Sequence, residues 1–168
     1  KLNYLLAMLV MVFAFGSCDL NEDLNSTSTE FQATETVVIS STVPTLVDPW
    51  QSGNATFECG QVACCDADFH YKFDNWEGPT YEGSYPVDGG NIITITNDDG
   101  YSFDWTSVWP VSCLIVKGGT VANVYCYSTP QYSGTGVTTP TNPNSGKPYG
   151  ISHATFCYNE PDMCYEEE

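Results

Sequence analysis

Residues 92–106, IITITNDDGYSFDWT, decide the fold class of this chain. Apolar and polar side chains alternate on both sides of the central Asn-Asp-Asp-Gly, which is the period of a half-buried β-strand. Gly100 is suited to the positive φ that a tight turn requires. The stretch predicts a β-hairpin with arms at 92–96 and 101–106. The side chains expected to face the core are Ile93, Ile95, Tyr101, Phe103 and Trp105.

A second hairpin is predicted directly afterwards, with arms at 111–117 and 121–127 and a turn centred on Gly119-Thr120. This register places Cys113 opposite Cys126. Directly opposed strand residues have Cβ atoms about 4.5–5.5 Å apart, which is near the range that a disulfide spans. We therefore expect a Cys113–Cys126 disulfide, an inference that a one-residue slip in register would break.

Other segments extend the β pattern. Strands are predicted at 37–39, 68–74 and 151–158, with a long Gly- and Pro-rich loop at 132–147. In 68–74, DFHYKFD, the aromatic residues share one face, and His70 and Lys72 share the other. No segment after the first 17 residues has the period of a helix. Low charge density and six or seven short strands favour an all-β fold, a single disulfide-stapled β-sandwich of antiparallel strands.

The first residues have the pattern of a bacterial export signal. Lys1 precedes an apolar run at 5–15, then Gly16-Ser17 and a cysteine. The run is shorter than the roughly 20 apolar residues that a spanning helix needs. We expect an export signal at 1–17, a flexible acidic Ser/Thr-rich tether at 18–35 and the β-sandwich domain at 36–168.

The cysteine after the small pair resembles a lipobox, in which Cys18 becomes the lipid-bearing first residue of a lipoprotein. The resemblance departs from the pattern at Phe15, where leucine is usual, and a rival cut after Gly16 would free Ser17. The acidic stretch 19–23 resembles the sorting signal of surface lipoproteins. We favour a lipid on Cys18 that anchors the protein to the outer membrane or cell surface, with plain secretion as the alternative.

Five further cysteines are Cys59, Cys64, Cys65, Cys157 and Cys164. Their spacing does not match the CxxC pairs of zinc sites, and disulfides are the default in an exported chain. One scheme ties the first cluster to the last pair. The spacing leaves open whether Cys64 or Cys65 takes part. Lipidation of Cys18 would leave seven of the eight cysteines for pairing, whereas the rival cut leaves all eight.

The chain is strongly acidic, with four lysines, no arginine and 21 Asp and Glu residues. This charge repels phosphate backbones, so nucleic-acid binding is not expected. The acids form either a solvated coat or ligands for calcium, although no EF-hand spacing is present. The calcium candidates are Asn97, Asp98 and Asp99, whose composition is also that of an ordinary hairpin turn. No other cofactor is indicated.

Few residues have a pattern that points to a reaction or a ligand. Ser152 and His153 are adjacent, so in a strand they face opposite sides and cannot act on each other. Distant carboxylates such as Glu77 and Asp104 are the remaining catalytic candidates, and His153 is interpreted as a structural side chain of the long loop. The ligand candidates within 73–81 are Trp76, Glu77 and Tyr81, since exposed aromatic faces beside polar groups suit sugar rings. The alternative is that Trp76 and Tyr81 cap the core.

Residues 91–158 resemble a recurring β-domain of secreted and cell-surface bacterial proteins. The resemblance rests on 103–107 (FDWTS), 115–119 (IVKGG), 123–125 (NVY), 134–136 (GTG), 142–143 (NP), 146–153 (GKPYGISH) and 156–158 (FCY). This chain departs from the pattern by carrying Cys113 and Cys126. The resemblance implies a secreted β-rich module and no particular reaction.

Together these features predict an exported, lipid-anchored binding or structural module of the cell surface, without catalytic activity. Its expected partners are the membrane, through Cys18, and a glycan or another surface protein. One alternative is a secreted glycoside hydrolase-like enzyme, which would need a cleft with two facing carboxylates. The other is a calcium-dependent adhesive module.

Overall fold

Seven strands, one short helix and one 3₁₀ turn follow one another along residues 43–161, the part of the chain that the computed structural model describes. The strands are β1 (Thr45–Val47), β2 (Phe69–Phe73), β3 (Gly83–Pro86), β4 (Ile92–Thr96), β5 (Ser102–Gly118), β6 (Val121–Thr138) and β7 (His153–Tyr158). The helix α1 is Ala55–Gly60, and the 3₁₀ turn is Asp88–Gly90. None of the helical segments in residues 43–161 has the length and apolar character needed to span a bilayer.

Several sequence predictions fall outside the described residues. They are the export signal at 1–17, the tether at 18–35 with its lipid site at Cys18, the strand at 37–39, and Cys164. They remain predictions.

The sheet is organised around one long hairpin, β5–β6. Its turn lies at Gly119-Thr120 as predicted, and Gly119 has a φ of 61°. The first half of β5 pairs with β4, whereas its second half pairs with β7. The register of β5 against β6 shifts between Thr106 and Val111, and such bulges bend a strand. All seven strands form one antiparallel sheet. On the side of β5 away from β6, the neighbour is β4 along its first half and β7 along its second half.

The main core contains side chains from both halves of this sheet. Ile93, Ile95, Phe103 and Trp105 are 0–1% exposed, as the hairpin pattern predicted. They join Leu114, Val116 and Phe156 in one apolar cluster. Tyr101 is wrong as a core prediction: it lies one residue before β5 and is 51% exposed. The all-β, disulfide-stapled fold class is confirmed.

The second half of β5 is covered on both faces. Leu114 and Val116 face the main core, whereas Cys113 and Ile115 join a second cluster with Trp50. The segment that contains α1 supplies part of this second cluster. Asn54 caps the N-terminus of the helix, and its side chain accepts a hydrogen bond of 2.8 Å from the Phe57 N–H. The prediction that no helix follows the signal is therefore wrong, because six residues are too few to show a helical period.

Strand β6 is longer than the sequence suggested. The predicted loop at 132–147 begins only after Thr138, since residues 133–138 pair with the first half of β5. Gly134 lies against the ring of the buried Trp105, and a Cβ at this position would be 2.4 Å from the Trp105 Nε1. The glycine therefore marks a close approach of backbone to side chain within a strand, and not a turn.

Three disulfides join the α1 segment to three neighbouring strands. They are Cys59–Cys157, Cys64–Cys126 and Cys65–Cys113. The expected Cys113–Cys126 bond is wrong, although the register behind it is confirmed, because the two cysteines are Cα partners. Each of them instead bonds a cysteine of the segment that lies across this face of the sheet. Cys59–Cys157 connects the first cysteine cluster to the last pair, and Cys64 and Cys65 both take part.

Candidate functional site

The aromatic residues proposed as a sugar platform are part of the core. Trp76 is only 3% exposed and packs against Phe103 and Tyr81. The Tyr81 hydroxyl donates a hydrogen bond to the Asp74 carbonyl. Glu77 is exposed, but the buried Trp76 ring offers it no aromatic face to share with a ligand. The expectation of an exposed Trp76 face is therefore wrong, and the alternative that Trp76 and Tyr81 cap the core describes the structure.

The calcium candidates are engaged in the turn that they form. Asp98 is buried, and its carboxylate accepts hydrogen bonds from the Trp76 Nε1 at 3.0 Å and from backbone N–H groups of Tyr81 and Gly100. Asp99 accepts from two backbone N–H groups, those of Ser102 and Tyr101, which lower the pKa of its carboxyl. Asn97 donates to Asp104. The three side chains thus have separate hydrogen-bond partners.

Of the two catalytic candidates, Glu77 is exposed and Asp104 is engaged in structural contacts. Asp104 accepts hydrogen bonds from Asn97 and from the Gly136 N–H. His153 is buried, and its Nε2 lies 3.1 Å from the carboxylate of Glu58. The interpretation of His153 as a structural residue holds, but its partner is Glu58 on α1 and not the long loop.

Glu58 is the centre of a buried polar cluster that the sequence did not reveal. Its side chain is fully buried, and it accepts hydrogen bonds from Lys72 at 2.9 Å, from Thr155 at 2.7 Å and from the Gly53 N–H at 3.1 Å. His153 completes the set. Burial by itself raises the pKa of Glu58, but the bonds from His153, Thr155, Gly53 and Lys72 outweigh it and lower the pKa from 4.5 to about 2.

This cluster joins α1 to the sheet and is almost completely buried. Lys72 is on β2, His153 and Thr155 are on β7, and none of the three side chains is more than marginally exposed. Buried charges are tolerated where they are paired and hydrogen-bonded. We therefore assign a structural role to the Glu58 cluster.

One surface concavity of the described residues is an open cleft of about 730 Å³ at the end of β7. It is lined by three acidic residues, three prolines, an exposed tyrosine, a threonine and an asparagine: Asp66, Asp68, Glu160, Pro110, Pro130, Pro161, Tyr132, Thr129 and Asn159. We call this surface the acidic cleft. Tyr132 is 52% exposed, so much of its ring is available to a ligand.

Asn159 holds the walls of the acidic cleft together. Its Oδ1 accepts a hydrogen bond of 2.8 Å from the Asp68 N–H, and its Nδ2 donates one of 2.9 Å to the Asp66 carbonyl. Its own N–H donates to the Pro110 carbonyl at 3.2 Å. The Cys65–Cys113 disulfide fixes the residue next to Asp66. The cleft is therefore built on a cross-linked part of the domain, which favours a preformed binding surface.

The acidic cleft combines chemistry that suits polar, hydroxylated ligands. The carboxylates accept hydrogen bonds from hydroxyl groups, and the face of Tyr132 can pack against the C–H face of a sugar ring. A second, smaller depression of about 310 Å³ is lined by Tyr101, Lys147, Asp99 and neighbours. It also presents an exposed tyrosine, and Tyr101 therefore provides a matched comparison for Tyr132.

Sequence reasoning missed the acidic cleft because its residues come from separate parts of the chain. Asp66 and Glu160 are 94 positions apart (160 − 66). Tyr132 is the first residue of the segment that the sequence predicts to be a loop. The one local signal is the Asp-Ala-Asp run directly after the paired cysteines. No protein-family model, curated protein sequence or solved structure matches this chain.

Proposed function

We propose that this protein is an exported binding module of the cell surface, anchored through a lipid on Cys18, which binds a glycan in the acidic cleft. The observation that carries the binding function is the cleft itself, with the half-exposed Tyr132 among three carboxylates. It replaces the platform at Trp76 as the candidate ligand site.

The three disulfides support the extracytoplasmic part of this proposal. Disulfides persist in oxidising compartments and are rare where thiols are kept reduced. Here they join one short segment to three adjacent strands, so the folded domain depends on them for much of its cross-linking. The export pattern at 1–17 and the lipobox at Cys18 are independent sequence arguments for the same location.

The chemistry of the cleft favours a neutral or cationic ligand with many hydroxyl groups. Its three carboxylates and a net charge of −17 repel anions. Neutral sugar units satisfy carboxylate acceptors with hydroxyl donors and offer an apolar face to Tyr132. Proline rings at three lining positions provide rigid apolar contacts that need little ordering when a ligand binds.

A secreted glycoside hydrolase is the second candidate, because that hypothesis requires a cleft that contains at least two carboxylates, and the acidic cleft contains three. The exposure of Asp66, Asp68 and Glu160 argues against it. A general acid in such enzymes is usually tuned by an apolar, water-excluding environment, and these three side chains face solvent.

A glycan array, probed with the mature protein in the presence and absence of calcium, tests the proposal. We expect a defined set of glycans to bind, Tyr132→Ala to lose that binding, and Tyr101→Ala to retain it. Absence of glycan binding, or equal loss in both variants, would contradict the proposed site. Binding that requires calcium would favour the adhesive-module alternative.

The hydrolase alternative is tested on the same glycans. If it is correct, the bound glycans are cleaved and Glu160→Gln or Asp68→Asn abolishes cleavage. A binding module instead leaves every bound glycan intact over long incubation, as mass spectrometry of the recovered glycan would show.

A further inference from the structure

The sulfur atoms of two disulfides lie together at one place on the sheet. The Sγ atoms of Cys64, Cys65 and Cys113 are all within 4.8 Å of one another. Cys126 is bonded to Cys64 and is the Cα partner of Cys113 on the neighbouring strand. We call Cys64, Cys65, Cys113 and Cys126 the cysteine quartet.

We infer that the cysteine quartet is a reduction-dependent site for a thiophilic divalent metal ion of the zinc class. In the oxidised protein its members form two disulfides. When both bonds are reduced, three of the thiols lie within 4.8 Å of one another, and the fourth, Cys126, lies on the neighbouring strand opposite Cys113. Four cysteine thiolates in a tetrahedral arrangement are a standard ligand set for Zn²⁺.

The fold brings the quartet together from three separate stretches of chain. Cys113 and Cys126 are opposed on β5 and β6, and the adjacent residues Cys64 and Cys65 reach across to them from the α1 segment. Zinc–sulfur bonds are about 2.3 Å long. The sulfurs around one zinc ion therefore lie somewhat closer to one another than the 4.8 Å within which three of the quartet's sulfurs are found. Side-chain rotation supplies this adjustment.

Burial separates the Cys64–Cys126 bond of the quartet from the third disulfide, although Cys113 is itself fully buried. Cys64 is exposed, whereas Cys59 and Cys157 are both 0% exposed. Thiol–disulfide exchange needs access of a thiolate to the sulfur that it attacks. A reductant therefore reaches Cys64–Cys126 first. The Cys64 thiolate released there lies within 4.8 Å of Cys65 and Cys113. Its attack on their bond releases one thiolate and forms a new disulfide to Cys64, which the second dithiol molecule then reduces.

The third disulfide keeps the ligands in position after this reduction. Cys59–Cys157 ties α1 to β7, which is paired with β5. Partial reduction therefore yields four thiols on a domain that is still cross-linked, and less chain entropy is lost when the metal binds than in an unfolded chain.

The chemistry balances with a dithiol as the reductant. Two dithiol molecules are each oxidised to a disulfide, and they pass four electrons and four protons to the four sulfurs of the quartet. Binding of one divalent ion then displaces the four thiol protons and leaves a complex with a charge of about −2.

Cobalt titration of the partially reduced, full-length protein tests the inference. After mild dithiol treatment and removal of the reductant, alkylation and mass spectrometry should find Cys59 and Cys157 unmodified and the quartet modified. Co²⁺ should then bind in a 1:1 ratio, with visible bands of a tetrahedral ion and a thiolate charge-transfer band, and Zn²⁺ should displace it. The oxidised protein should show none of these bands.

The matched control is the double variant Cys65→Ser/Cys113→Ser, which retains Cys59–Cys157 and Cys64–Cys126 in its oxidised form. Near-UV circular dichroism should show that it folds, and after reduction it should lose the tetrahedral cobalt spectrum. The inference is overturned if the reduced wild-type protein gives no such spectrum, if the variant keeps it, or if Cys59 and Cys157 are reduced before the quartet.

Discussion

Cys113 lies directly opposite Cys126 in the β5–β6 ladder, yet neither is bonded to the other. Cys157 lies opposite Cys113 on its other side. The three cysteines therefore form a row across β7, β5 and β6, perpendicular to the strands. The segment 59–65 crosses this row and forms one disulfide with each strand, which fastens the α1 segment to the outer face of the sheet.

Disulfide mapping should find Cys59–Cys157, Cys64–Cys126 and Cys65–Cys113 in the oxidised protein. Cys64 and Cys65 are adjacent and no protease separates them, so the measurement is partial reduction with differential alkylation, followed by fragmentation of the linked peptides. A peptide that joins Cys113 directly to Cys126 would contradict the pairing that the structure shows.

Replacing Glu58 should lower the free energy of unfolding more than replacing one of its neutral partners. Glu58→Gln removes the charge that pairs with Lys72 and faces His153, and breaking a buried ion pair typically costs about 3 kcal/mol or more. Thr155→Val removes only a neutral donor to the same carboxylate, for about 1.5–3 kcal/mol. Urea unfolding of both variants measures the difference. Equal losses of unfolding free energy would show that the charge of Glu58 contributes no more than a single hydrogen bond.

Acid should lower the free energy of unfolding by protonating the carboxylate of Glu58. The pKa of Glu58 is 4.5 in the unfolded reference and about 2 in the fold. A lowered pKa contributes stability that is complete above the unfolded value and is lost as the pH falls toward the folded value. The contribution is about 3 kcal/mol. The free energy of unfolding should therefore drop between about pH 5 and about pH 2, with a shallower drop in Glu58→Gln.

A methyl group at position 134 should be costly, because the Trp105 ring occupies that space. The added Cβ would be 2.4 Å from the Trp105 Nε1, and Trp105 is 1% exposed and cannot move freely. We expect Gly134→Ala to cost about 1–3 kcal/mol, the usual range for overpacking. Gly150→Ala is the control, since a Cβ at position 150 would meet no atom within 4 Å beyond its chain neighbours. Thermal unfolding should separate the two variants.

Trp76→Phe should destabilise the turn at Asp98 without changing ligand binding. The substitution removes the indole donor 3.0 Å from the Asp98 carboxylate and leaves a buried charge with fewer partners. A cost of about 1–3 kcal/mol is expected. If the array binding of this variant falls as far as that of Tyr132→Ala while its fold is intact, the acidic cleft is not the ligand site.

Local pattern was sufficient for the strands and for much of their packing. The alternation in 92–106 correctly predicted the hairpin and the burial of Ile93, Ile95, Phe103 and Trp105. The Gly119-Thr120 turn correctly placed Cys113 opposite Cys126. Period and turn chemistry are properties of neighbouring residues, so they can be recognised without any knowledge of the rest of the fold.

Predictions from residue type were wrong where a residue contacts another that is far away in the chain. Gly134 and Gly136 suggested a loop, but the first makes room for Trp105 within a strand. Trp76 suggested a ligand surface, but its indole N–H is satisfied by Asp98 inside the core. In both cases the deciding partner is about 20 to 30 positions away, and no local pattern predicts such a meeting.

The sequence by itself determined the all-β class, the two turns and the use of cysteines as cross-links, because each depends on composition or on neighbouring residues. Only the tertiary structure decided which cysteines bond, that Glu58 meets Lys72 and His153, and that Asp66, Tyr132 and Glu160 line one cleft. These outcomes depend on how the α1 segment lies across the sheet. That placement is set by packing between segments far apart in the chain, where many alternatives share the same local pattern.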